Sequence, residues 1–163
     1  MKANVLVIAH RTAASPDLLA SLREQAERRA VRFDLLVPPT VPGADGRAAA
    51  RRILDDALAR MAQAGLDAGG RVGTDSDPVV AAIEAFDPAV HDEIVVSTLP
   101  ESSSHWLRID GPVRIAKATG AITRHVVARE RREPRPVHLE RRPGAGVLAP
   151  LVALGYGRPR AGT

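Results

Sequence analysis

The sequence predicts one α/β domain, a five-stranded parallel sheet sandwiched by helices, followed by a Pro/Arg-rich C-terminal extension. Three observations carry this. Short apolar runs alternate with stretches of helical spacing in the order β-α-β-α-β-α-β-α-β, the pattern of parallel strands joined by crossover helices. The first of those runs is continuously apolar rather than alternating, as for a strand covered on both faces. Three helical stretches open on a polar or glycine residue followed by proline, at Ser15-Pro16, Asp77-Pro78 and Gly111-Pro112. Proline fits the first helical turn because an N–H there has no intrahelical acceptor.

The elements follow in order. Asn4 to Ala9 (NVLVIA) is the first strand. Ser15 caps a helix that carries Leu18, Leu19, Leu22, Ala26 and Ala30 at helical spacing, with Asp17 in its first turn. Arg32 to Val37 is the second strand, ended by Pro38-Pro39, which cannot donate to a ladder. Asp45 caps a helix from about Gly46 to Ala64, whose apolar face is Ala50, Ile53, Leu54, Ala57, Leu58 and Met61. Gly65 stops it. Alternation then asks for a short strand within Asp67 to Val72. Asp77-Pro78 starts a helix with Val79, Val80, Ile83 and Phe86 inward, and Asp87-Pro88 breaks it. Glu93 to Ser97 is a β-branched strand. Gly111-Pro112 opens the last helix, Gly120 closes it, and Ile122 to Val127 returns to strand.

Composition narrows the function classes. The chain has 163 residues, enough to bury a core, and aromatics are only 2% of it, so that core is aliphatic. There is no cysteine, which excludes disulfides, thiolate metal sites and cysteine nucleophiles. No apolar run reaches membrane-spanning length and no leader pattern precedes the first strand, so the cytoplasm is the default compartment. From Arg129 onward, eight arginines face three glutamates. That excess of five against a net +4 leaves the first 128 residues at −1. The domain therefore carries no nucleic-acid footprint, and residues 129 to 163 read as a basic, Pro- and Gly-rich tail distinct from the domain at 1 to 128.

In a doubly wound sheet, ligands gather outside the carboxyl ends of the strands. Those ends offer Ala9, His10 and Arg11 after the first strand and Val37 after the second. Thr74 and Asp75 follow the third, and Ser97 and Thr98 end the fourth. The loop that follows adds Ser102, Ser103 and Ser104, then Asp110 and Gly111 at the next helix start, where an anion would be favoured. Trp106, the one tryptophan, is an interface anchor by residue type. The Thr74 to Asp77 string has oxygen ligands for Mg²⁺, yet a turn plus an N-cap accounts for every residue in it. A Ser97, His10 and Asp75 triad suggests a small hydrolase, but no Gly-x-Ser-x-Gly elbow exposes the serine. His91, His125 and His138 lack ligand spacing and read as incidental.

NVLVIAHRTAASPDLLASL at the front, VGTDSDPVVAAIEAF in the middle and DEIVVSTLP before the last helix resemble a universal stress protein domain over residues 3 to 128. The resemblance implies the adenine nucleotide alpha hydrolase-like fold. It also implies homodimerisation through the last strand, with Arg124 and Val126 at the interface. ATP-binding members carry an acid after the first strand and a Gly-x2-Gly-x9-Gly-Ser/Thr loop after the fourth. Here His10 stands at the first position, and no glycine precedes Gly111 in STLPESSSHWLRIDGP. Glycines let backbone N–H groups close on phosphate. The expectation is therefore a binding or regulatory module acting through a second copy or a partner protein, without standard ATP binding and with no metal. The alternative is a modified pocket for a nucleotide or another anion.

Overall fold

A computed structural model describes residues 2–100 and 110–129. Ser102, Ser103, Ser104, Trp106 and the extension from residue 130 on lie outside the described residues. The described residues form five strands: β1 (Ala3–Ile8), β2 (Val31–Val37), β3 (Ala68–Val72), β4 (Glu93–Thr98) and β5 (Ile122–Val127). They make one all-parallel sheet in the order β3-β2-β1-β4-β5. The connecting helices are α1 (Pro16–Arg28), α2 (Ala44–Gln63), α3 (Pro78–Ala85) and α4 (Gly111–Thr119). This is the predicted architecture, including the glycine-rich β3.

Handedness explains the layers. The chain steps from β1 out to β2 and β3, then crosses back to β4 and β5 on the other side of β1. Right-handed crossovers in opposite directions put their helices on opposite faces. Successive side chains of a strand point to opposite faces, so β1 feeds both cores. Val5 and Val7 join Phe33, Leu35 and Val95 beneath Leu18, Leu22, Leu54 and Met61 of α1 and α2. Leu6 and Ile8 join Ile94 and Val96 beneath Val79, Ala82 and Ile115 of α3 and α4. Each such fully buried aliphatic contributes on the order of 1.5–3 kcal/mol.

The caps are largely those the sequence announces. Ser15 Oγ accepts the Leu18 N–H at 3.2 Å. Asp77 Oδ1 accepts the Val79 N–H at 2.8 Å. Gly120 closes α4 at φ 68°, a left-handed conformation that costs glycine nothing. At α2 the boundary differs: the cap position is Gly43 and Asp45 falls in the first turn, where its carboxylate still faces the positive helix end.

Two helix faces differ from expectation. On α3, Val79, Ala81 and Ala82 are buried, while Val80 and Ile83 are exposed. This helix of eight residues has Glu84 as its one polar residue, too little for periodicity to tell its inner face from its outer. On α1, Gln25 is buried among the apolar positions. Its side-chain amide donates to Glu93 Oε1, and Arg29 reaches Glu93 Oε2 at 2.6 Å. The carboxylate at the start of β4 is thus taken up by two donors from the end of α1.

β5 is the outer strand on its side of the sheet. Ile122 and Val127 are 75% and 51% exposed, while Val126 packs at the rim of the α1/α2 core. No helix among the described residues is long and apolar enough to cross a membrane.

Candidate functional site

Strand order reverses between β1 and β4, which makes the carboxyl ends of these two strands the crevice where doubly wound sheets take ligands. Five predicted residues come to this end of the sheet. Ala9 and Val37 are fully buried, His10 is nearly so, and Ser97 and Thr98 close β4 with little or no exposure. The turn after β1 is held by Ala13 N–H to His10 O at 3.0 Å and Ser15 N–H to Thr12 O at 2.9 Å. Thr12 then spans the crevice: its hydroxyl donates to the Ser97 carbonyl at 3.0 Å. Local sequence gave no sign of this bond, because its partners are 85 residues apart.

Two polar groups here are chemically notable. Ser97 Oγ is fully buried and has no hydrogen-bond partner among the described residues, an arrangement that costs about 1–3 kcal/mol of desolvation. His10 is held below the usual histidine pKa, first by burial and then by the Arg11 cation. Its imidazole is neutral at neutral pH and suited to hydrogen bonding rather than to pairing with phosphate.

One strand further out, Thr98 Oγ1 lies 2.7 Å from His125 Nε2 on β5. Desolvation lowers the His125 pKa as well. On the α1 side, the chain leaving β5 is tied down by Ala128 N–H to Thr98 O at 2.8 Å and Arg129 N–H to Asp17 Oδ2 at 2.9 Å. Beside these bonds lies a cleft of about 250 Å³ bordered by Arg11, Thr12, Ser15, Leu99 and Arg129.

A universal stress protein from Archaeoglobus fulgidus superposes with a TM-score of 0.58 at 13% identity, covering 77% of this chain and 94% of its own. The universal stress protein from the same organism in complex with dAMP gives 0.58 at 11%, with 77% and 98% covered. A protein from the universal stress protein family from Burkholderia pseudomallei gives 0.54 at 23%, with 77% and 96% covered.

The fold is that of the universal stress proteins. No protein-family model matches the sequence, and no curated protein matches it significantly.

Within the universal stress fold, the remaining predicted residues disperse. Thr74 and Asp75 follow β3, three strand spacings from β4, or about 14 Å at the usual interstrand distance. Asp75 Oδ1 accepts the Asp77 N–H at 2.7 Å, and the Thr74 hydroxyl donates to Glu84. The DSDP string is a turn and a cap, and the Ser97, His10 and Asp75 triad is not assembled. Arg11 is exposed at the mouth of the crevice. Asp110 occupies the α4 N-cap position without a side-chain cap bond, next to the buried Gly111. Arg124 is exposed on β5.

Of the three histidines read as incidental, His138 lies outside the described residues, and the other two have partners. His125 meets Thr98 as described. His91 is buried: its Nδ1 accepts the Asp87 N–H at 3.1 Å, its Nε2 lies 3.4 Å from Asp34 Oδ2, and its ring stacks on Phe86. Arg71 also reaches Asp34, at 2.9 Å. These pairs join separate elements, so only a β4–β5 register, Val96 beside His125, would have exposed the first of them.

Proposed function

We propose that the chain is a cytoplasmic, homodimeric binding module on the universal stress fold, joined along β5 and working through that assembly or a partner protein rather than through standard ATP binding. The carrying observation is the edge of β5. An edge strand presents a row of unpaired N–H and C=O groups, which proteins commonly blunt with lysine, proline or a bulge. β5 (ITRHVV) carries Arg124 but no proline, and its Ile122 and Val127 project to opposite faces with most of their surface exposed. A second β5 laid antiparallel across a two-fold axis satisfies the backbone groups and extends both apolar layers. The other edge, β3 (AGGRV), has two glycines and little side-chain surface to offer. Under this reading Arg124 lies at the junction and Val126 seals the core beside it.

Light scattering on the purified protein should return about twice the 17.3 kDa chain mass. The double variant Ile122→Lys/Val127→Lys should return one chain mass, with its circular dichroism retained because both positions are already exposed. A wild-type monomer at tens of micromolar would sink the proposal.

Ser97 favours a second reading, a nucleotide or small anion in a modified crevice. A buried hydroxyl without a protein partner is a group a ligand can satisfy, and one solved protein of this fold holds dAMP. A thermal-shift series with ATP, AMP, dAMP and phosphate tests it, since ligand binding raises Tm by mass action. A shift that Ser97→Ala abolishes supports a crevice ligand. The absence of any shift up to millimolar ligand leaves the dimer module as the whole function.

A further inference from the structure

We propose that Thr98 is an acyl-accepting hydroxyl for which His125 is the general base. Thr98 ends β4, His125 lies on the neighbouring β5, and Oγ1 and Nε2 are 2.7 Å apart, within the reach required of a nucleophile and its base. The other hydroxyls of the strand ends are engaged differently. Thr12 donates to the Ser97 carbonyl, Thr123 donates to the Ala121 carbonyl, and Ser97 Oγ has no base beside it. Among the described residues, Thr98 is the hydroxyl that meets an imidazole. His125 is exposed on β5 and partial desolvation lowers its pKa, so its imidazole is neutral at neutral pH. With its proton on Nδ1, its Nε2 lone pair is available to the threonine. Thr98 stands at the carboxyl end of β4, where this architecture receives ligands, and the His125 side chain reaches it from two residues inside β5. Thr98 is 5% exposed, so the reaction calls for a small acyl donor, and long acyl chains should react more slowly.

The donor is an activated ester or an acyl phosphate. Thr98 Oγ1 attacks the acyl carbonyl and its proton passes to His125 Nε2. The Oγ–C bond forms and the bond from the acyl carbon to the leaving group breaks. The leaving group departs with the electron pair and takes the proton back from His125. No oxidation or reduction occurs, and the product is O-acyl Thr98, a stoichiometric modification rather than turnover. It requires neither the dimer nor a nucleotide.

The test incubates the full-length folded protein with p-nitrophenyl acetate, follows p-nitrophenolate release and maps the acetyl group by peptide mass spectrometry. The expected result is one acetyl per chain on Thr98. Its rate should rise with pH through the lowered His125 pKa and then level off, and the butyryl ester should react more slowly. Thr98→Val should abolish the label. His125→Gln keeps a hydrogen-bonding side chain but no base, and should slow acetylation by roughly 100-fold. Acetyl on other residues without Thr98, no label on the wild type, or an undiminished rate in His125→Gln overturns the proposal. Because the acetyl is mapped on the wild type, the result stands whether or not Thr98→Val folds.

Discussion

His10 shows how one residue carries both a structural cost and a chemical opportunity. Its folded pKa lies below the ordinary 6.5, so between that value and its folded pKa the unfolded chain binds the proton and the folded one does not. Stability therefore rises with pH across this window and falls as pH drops below about 6.5. His125 has the same sign. Urea melts of wild type and His10→Gln between pH 5 and 8 should show a flatter acid limb in the variant. An equally steep limb would place the titration elsewhere. His10 at the strand end was legible, because a continuous apolar run ended there. Its shifted pKa was not, because burial depends on what packs over the ring. Glu93 makes the same point. A carboxylate heading a buried strand looks unfavourable in sequence, and only α1 supplies the Gln25 and Arg29 donors that stabilise it.

At the scale of elements, the signals that worked were local. Prolines in first turns, serine and aspartate caps, and Gly120 at a left-handed closing position act within a few residues of themselves. They located α1, α3 and α4. Signals of face were weaker. α2 turned its predicted stripe inward, with Ala50, Leu54, Ala57 and Met61 fully buried. α3 has only Glu84 to mark a polar side, and the sheet chose Val79 over Val80. β3 shows an element whose weak sequence pattern has a packing reason. A Cβ added at Gly70 would lie 2.5 Å from the Leu35 carbonyl oxygen and 2.8 Å from Leu54 Cδ1. Glycine there lets β2 and α2 close on the strand. Gly70→Ala should cost about 1–3 kcal/mol, the range for forcing extra atoms into a tight contact. Chemical denaturation measures this, and a neutral result would mean that β3 can shift outward at no expense.

For the whole molecule, the dimer proposed along the exposed β5 edge has a thermodynamic signature. If two chains join along β5, folding and association are linked, and Tm rises with protein concentration. Melts from about 1 to 100 μM should show that rise in wild type and not in Ile122→Lys/Val127→Lys. A concentration-independent wild-type Tm would argue against a dimer of useful affinity. Such coupling is a property of the assembled sheet, for which the five-residue β3 and the open β5 are very different edges.

The sequence by itself determined the order of strands and helices, the aliphatic core and the position of the strand-end loops, because caps, turns and hydrophobic runs act through neighbouring residues. It also showed that the glycine phosphate loop is missing between Ser97 and Gly111. Only the tertiary structure decided which side chains meet at the site. Thr12 to Ser97, Thr98 to His125 and Glu93 to Gln25 join residues 85, 27 and 68 positions apart. Contacts of that range come from strand order and register, which the right-handed winding of the whole sheet sets and no local pattern records.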